Sequence, residues 1–345
     1  MKPRLSVAPM VGVTTRPHRY LCRLLSRSVT LYTEMIVSET ILHGKDELVR
    51  NLLDKCADGE VVLQLAGRVP DNIAKAAAKA QEFGFSEINL NCGCPSKRAA
   101  VSGAFGLAMM KEPELVSEII RTTLRQVSIP VTIKCRLGVD NFDSYSEVQN
   151  FIKTISDAGI RRVALHARKG ILSMNTKGNR SIPPLKYDWV YSLCRDFPEL
   201  KFDLNGGVLG ISEAKNHMKE CPALDGIMIG RAVWRNPLLL ANADLDWFGK
   251  KNEDLPLTRR DLIERFVSYF NNKPEVPITE SLEAIQGIFL GTPGSSSFRR
   301  TLANQRKAHC LAEIIYPAME TVPAETLDLS ISDFFVNSND VTVAW

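Results

Sequence analysis

The feature that most constrains this chain is an eightfold alternation. Short apolar, β-branched runs fall at residues 5–9, 29–33, 60–65, 87–91, 131–135, 162–166, 201–205 and 226–230. Between them lie stretches of helical periodicity, clearest over 70–83, 113–127, 145–158, 187–197 and 212–219. Several of these open with a proline in the first turn or a Ser/Asp cap. Strands joined by helical crossovers lie parallel, and eight such units over roughly 240 residues close into a (β/α)8 barrel. An open, doubly wound sheet is the alternative, but no GxGxxG follows the first run. The expected fold class is therefore α/β, a (β/α)8 TIM barrel over residues 1–247.

Beyond residue 247 the strand signal stops. Residues 249–254 are polar and read as a linker. Helical patterns then cover 257–271, 279–290 and 298–318, so a C-terminal helical domain is expected over 255–320. Arg259, Arg260, Arg265, Arg299, Arg300, Arg306 and Lys307 make it locally basic. A solvated helix face accounts for such a run as well as a binding surface does. Residues 323–345 carry Glu325, Asp328, Asp333 and Asp340 and no Lys or Arg, and are expected to form an acidic, disordered tail.

Composition narrows the function classes. A chain of 345 residues that is 45% hydrophobic can bury one large core and a small one. A net charge of +4 permits a polyanionic partner without requiring one. The 8 cysteines show neither a CxxC pair nor a Cys/His zinc spacing, so reduced thiols and no metal site are expected. No apolar run approaches the roughly 20 residues that span a bilayer. The opening residues run straight into a strand without a signal-peptide core. A cytoplasmic monomer is the expectation, or an organellar protein if a leader was removed.

The chemistry concentrates at Ile88-Asn89-Leu90-Asn91-Cys92-Gly93-Cys94-Pro95-Ser96. Residues 86–91 alternate polar and apolar and read as a strand. Gly93 and Pro95 end it and present Cys94 on a tight loop. In a parallel barrel that end carries the chemistry. A thiol with an ordinary pKa of about 8.5 is protonated near neutrality and can act as a general acid, or as a nucleophile if its pKa falls. Most free cysteines are small buried hydrophobes, and Cys92 reads that way. Polar groups also close other strands: Gln64, Asn91, Lys134, His166 and Asn205. Any one of them alone reads as a surface residue. Asn205-Gly206-Gly207 and Gly230-Arg231 are more specific, because the loops after strands seven and eight commonly hold a phosphate. A buried Lys134 would suit the negative charge of a reduced flavin ring.

In order and spacing, Ala8-Pro9-Met10, Gln64, Asn91-Cys92-Gly93-Cys94-Pro95-Ser96, Lys134-Cys135-Arg136, His166-Ala167-Arg168, Asn205-Gly206-Gly207 and Gly230-Arg231 resemble the tRNA-dihydrouridine synthases. The likeness spans about residues 3 to 310. His166-Ala167-Arg168-Lys169, the segment 179–185, and Gly291-Thr292-Pro293-Gly294 before Arg299-Arg300 resemble the A-type enzymes, which reduce uridines 20 and 20a of the tRNA D-loop. The resemblance implies FMN as cofactor, NADPH as reductant and tRNA as partner. It places flavin contacts on Pro9, Met10, Gln64, Lys134, His166, Asn205, Gly206, Gly207, Gly230 and Arg231. It places the proton donor on Cys94, and tRNA contacts on Asn91, Lys177, Arg180 and Arg299. A second family arginine is Ser296 here, a departure that bears on tRNA binding rather than on chemistry. A flavin barrel acting on a small pyrimidine, or an idle tRNA-binding protein on the same scaffold, are the competing readings.

Overall fold

The computed structural model describes residues 2–55, 59–96, 105–304 and 309–332. The strands are β1 (Arg4–Val7), β2 (Leu31–Val37), β3 (Val61–Ala66), β4 (Glu87–Asn91), β5 (Val131–Arg136), β6 (Arg162–His166), β7 (Lys201–Asn205) and β8 (Gly226–Ile229). All are parallel, in the order β1-β8-β7-β6-β5-β4-β3-β2. The two outer strands meet through a parallel bridge between Ser6 and Thr30. There the Thr30 N–H donates to the Leu5 carbonyl and the Val7 N–H to the Thr30 carbonyl, each at 3.0 Å. The expected (β/α)8 barrel is thus the observed one.

Crossover helices Pro70–Glu82, Pro113–Gln126, Tyr145–Asp157, Tyr187–Asp196 and Ile211–Glu220 follow β3 to β7. Pro70 and Pro113 occupy first turns, where a missing N–H costs nothing. Ser144 and Glu147 form a reciprocal capping box at the third of these helices. After β2 come the short helices Ser38–His43 and Asp46–Leu53, too brief to stand out from the sequence pattern.

Two-residue periodicity sorts the strand side chains. In β4, Ile88 and Leu90 share one face, and Glu87, Asn89 and Asn91 share the other. Both sets are buried. The polar set hydrogen-bonds to Gln64 of β3 and Thr132 of β5, so it points into the barrel. Ala8, Tyr32, Val62, Ala164 and Met228 pack together as an apolar layer. Arg4, Glu87 and Arg162 each open a strand, Arg4 pairing with Glu87 and Arg162 with Asp203 in the middle of β7.

Residues 2–10, 30–55 and 60–230 form one compact unit, which holds the whole barrel sheet. Residues 11–29 and the described residues from 231 onward form another. Helix Arg16–Leu25 and residues 231–247, which the strand count places with the barrel, therefore lie in the helical unit. In that unit Leu262, Phe266 and Phe270, four residues apart, give helix Arg259–Phe270 a buried apolar stripe. The helix expected over 298–318 is instead two, Ser295–Asn304 and Ala312–Glu320. The second starts afresh because the Glu313 carboxylate accepts from the His309 N–H and Asn271 Oδ1 accepts from the Ala312 N–H. The segment expected as a disordered tail is folded at its start. Ala324–Leu327 is helical, Arg260 bonds both oxygens of Asp328, and buried Arg259 donates to the Thr326 carbonyl. Residues 333–345 lie outside the described residues.

Candidate active site

Register gathers the expected site residues at the C-terminal ends of the strands. Asn91 pairs with Lys134, Arg136 with His166, and His166 with Asn205. Neighbouring strands lie about 4.8 Å apart, so these side chains form a continuous row along one rim. Gln64 sits one strand further along, and Gly230 directly follows β8. A side chain on Gly230 would meet Ala8 and the Met10 sulfur, which puts the strand-one loop of Ala8, Pro9 and Met10 beside it. Arg231 belongs to the helical unit and opens helix Arg231–Arg235.

The Cys94 loop is held from inside the barrel. The Gly93 and Cys94 N–H groups donate to Asn91 Oδ1 at 3.1 and 2.9 Å, and Asn91 Nδ2 donates to Gln64 Oε1 at 2.8 Å. One Asn91 N–H remains for anything above it. Gly106, at φ +71°, passes so close that a Cβ there would lie 2.8 Å from the Cys94 carbonyl oxygen. Burial pushes the Cys94 thiol above its ordinary value, against the Ser96 N–H and the charges of Arg136, Lys134 and Arg180. The thiol is thus protonated at neutral pH, and cations stand ready to stabilise its thiolate. Cys92 is fully buried, and burial drives its thiol well up. The neighbouring Cys135 is pushed up to about 12.

Burial, helped by Arg136, pulls the Lys134 ammonium down to about 8. Burial, with Arg168 and Arg180 adding to it, pulls the Arg136 guanidinium down to about 10, so Arg136 remains charged at neutrality. Among the described residues no carboxylate acts on Lys134, Arg136 or Arg168. A site of this kind is built for anions. Arg136 also ties two loops together. It donates to the Gly93 carbonyl at 2.9 Å, and to the Asn179 and Lys169 carbonyls at 3.0 and 3.2 Å. Asn179 is fully buried. It accepts from the Ile171 N–H and donates to the Ile171 and Met174 carbonyls, which pins the loop that carries Lys177 and Arg180. Lys177 is exposed and Arg180 half-buried. Arg136 and Asn179 stand within the sequence motifs, but the motifs alone assign them no task. Counting by two from Lys134 places Arg136 on the same face, and that is the one signal the sequence offers.

Gly206 and Gly207 sit at φ +107° and +80°, a region that favours glycine. A Cβ on Gly206 would lie 2.7 Å from the His166 ring, and one on Gly207 would overlap Tyr187 Oη. Tyr187 in turn donates to the Gly206 carbonyl at 2.8 Å, and Asn205 Nδ2 donates to the Met228 carbonyl at 2.8 Å. Side chains of His166, Leu185 and Tyr187 already fill the place of a Cβ, so only glycine fits either position of this turn. A cofactor with a phosphate at one end and negative charge developing at the other fits these residues.

Structure also separates the basic residues of the helical unit. Arg259 is buried, Arg260 pairs with Asp328 and Arg265 with Asp261. Arg299 and Arg300, on helix Ser295–Asn304, are exposed without an acidic partner among the described residues. Ser296 is exposed on the same helix. Arg306 and Lys307 lie outside the described residues.

Comparisons with known proteins point one way. The family model described as dihydrouridine synthase (Dus) matches residues 6–319. A tRNA-dihydrouridine(20/20a) synthase of Synechocystis sp. is 39% identical over 303 residues, covering 87% of this chain and 88% of its own length. One of Vibrio cholerae is 39% identical over 330 residues, covering 94% of this chain and 98% of its own. Among solved structures, one of TcOYE with pHBA covers 71% of this chain and 89% of its own at a TM-score of 0.49 and 13% identity.

Proposed function

Because the chain belongs to the dihydrouridine synthase family, we propose that it reduces uridine to 5,6-dihydrouridine in tRNA, at positions 20 and 20a of the D-loop, with FMN as cofactor and NADPH as reductant. The observation that carries this reading is a half-buried thiol at Cys94, raised above its ordinary pKa by burial and set near Lys134 and Arg136, on which no carboxylate acts among the described residues, with a glycine turn after β7.

When bound, the flavin supplies hydride to C6 of the uracil ring. Reduction of the C5=C6 bond then needs one proton at C5, and Cys94 Sγ donates it as a general acid. Burial raises the thiol's pKa, which keeps the proton available at neutral pH. Arg136, Lys134 and Arg180 offset the thiolate that remains. Asn205, Gly206, Gly207, Gly230 and Arg231 would hold the cofactor phosphate. Pro9, Met10, Gln64 and His166 would contact the rest of the flavin, and Lys134 would offset the negative charge of its reduced ring. Asn91, Lys177, Arg180 and Arg299 bind the tRNA. The target base leaves its stack, at a cost of a few kcal/mol that phosphate contacts offset.

The test is incubation of flavin-loaded protein with NADPH and tRNA lacking dihydrouridine, followed by mapping of the modified positions. Dihydrouridine at 20 and 20a is the expected result. Reduction of free uridine or uracil with tRNA untouched would overturn the reading in favour of a small-pyrimidine reductase.

A further inference from the structure

Below the site, an unbroken hydrogen-bond chain runs through the barrel. The Cys94 N–H donates to Asn91 Oδ1 (2.9 Å), and Asn91 Nδ2 donates to Gln64 Oε1 (2.8 Å). Gln64 Nε2 donates to Asn89 Oδ1 (2.8 Å), and Asn89 Nδ2 to Thr132 Oγ1 (2.9 Å). The Thr132 hydroxyl donates to Glu87 Oε1 (2.6 Å), and Glu87 is paired with Arg4 at 2.9 Å. Glu87, Asn89, Gln64, Thr132 and Asn91 are all buried.

The polarity of this chain is forced from both ends. A backbone N–H can only donate, and a carboxylate facing a hydroxyl can only accept. Each amide between them must therefore point its oxygen toward Cys94 and its nitrogen toward Glu87, consistently along the line. Turning one amide over would set NH2 against NH2, or oxygen against oxygen, in a buried site. Buried polar groups left unpaired in this way are expensive. The Thr132 hydroxyl also lies 3.4 Å from the Ile88 carbonyl oxygen, but its 2.6 Å contact to Glu87 is the shorter.

We propose that Glu87 and Thr132 are positioning residues for the Cys94 loop. Glu87 fixes the direction of the Thr132 hydroxyl, which fixes Asn89, then Gln64, then Asn91, whose oxygen grips the Gly93 and Cys94 amides. The same ordering sets which end of the Gln64 and Asn91 amides faces the site. The link to proton delivery rests on the proposed function; the link to loop geometry does not.

The experiment uses Thr132→Val, which keeps shape and removes the hydroxyl, and Thr132→Ser, which keeps the hydroxyl. Amide hydrogen exchange is read residue by residue by NMR in the flavin-loaded protein. Protection at Gly93 and Cys94 should fall about tenfold in Thr132→Val and return to within about twofold of wild type in Thr132→Ser. The amides of β7, which share none of the chain's hydrogen bonds, should not change. In turnover with NADPH and tRNA, kcat should fall about tenfold in Thr132→Val with KM for tRNA unchanged, and recover in Thr132→Ser. If Thr132→Val does not fold, Thr132→Ala, which also removes the hydroxyl, carries the same measurements. Unchanged protection at Gly93 and Cys94, an equal loss in β7, or an unchanged kcat where protection has fallen would each overturn the proposal. A wild-type protein inactive on tRNA would instead overturn the functional reading and leave the exchange result standing.

Discussion

Replacing Lys134 with methionine should stabilise the flavin-free protein. The Lys134 ammonium titrates near 10.5 in an unfolded chain and near 8 in the fold, because it is buried with Arg136 beside it. The folded state therefore holds this proton less tightly, and its stability rises with pH between those two values. At pH 7 the charge costs the fold about 3 kcal/mol, from 2.5 pKa units at 1.36 kcal/mol each. At pH 9.5 the folded lysine is neutral, and the remaining cost is about 1 kcal/mol. The assay is urea denaturation of wild type and Lys134→Met at both pH values. Methionine should be more stable at pH 7, and its advantage should narrow by about 2 kcal/mol at pH 9.5. Taking the difference between the two proteins cancels the titration of buried Cys22, Cys92 and Cys135, which acts in the opposite direction. Flavin binding should reverse the ranking at pH 7, since an anion in the site gives Lys134 an opposite charge that no described carboxylate supplies. A pH-independent difference between the two proteins would refute the claim that burial holds this cation at a cost.

Two further outcomes follow from the same geometry. Gly207→Val places a Cβ where Tyr187 Oη and Leu185 Cδ1 already lie and forces a branched residue to a positive φ, so FMN affinity should fall more than about tenfold by titration and the purified protein should be colourless. Arg180→Ala combined with Arg299→Ala should weaken tRNA binding and lower the slope of log Kd against log salt by about 0.7–0.9 for each phosphate no longer neutralised, while flavin reduction by NADPH continues; an unchanged slope would mark both as solvated surface.

Much of the barrel was legible because its signals are local. Prolines at first turns, the Ser144 cap and β-branched runs set element positions without tertiary information. The Cys94 loop and the Gly206-Gly207 turn were legible for the same reason, since glycine and proline restrict or free the backbone where they stand. What was not legible depends on facing. The alternation in β4 identifies a strand but not which side its polar residues take. They point inward, where Glu87, Asn89 and Asn91 find partners on β3 and β5. Charge was equally mute: Arg259, Arg260, Arg265 and Arg299 read alike in sequence, and only packing separates buried and paired guanidinia from exposed ones. Helix Arg16–Leu25 follows the first strand in order yet packs with the C-terminal helices, because its apolar face meets residues that lie hundreds of positions away. Arg136 and Asn179 act through backbone carbonyls, and no motif records which carbonyl will lie within reach.

At the centre of the proposed mechanism, Cys94 and not its neighbour Cys92 hands a proton to the uracil ring. Single-turnover mixing tests it most directly: protein with reduced flavin is mixed anaerobically with tRNA lacking dihydrouridine, and reoxidation is followed by absorbance. Cys94→Ala should keep its flavin and its reduction by NADPH but slow reoxidation by about 10²–10⁴-fold. Cys92→Ala should cost far less, because its thiol is fully buried and packs rather than reacts. Loss of the step in Cys92→Ala with the step intact in Cys94→Ala would reverse the assignment, and an intact step in both would return Cys94 to an ordinary loop thiol.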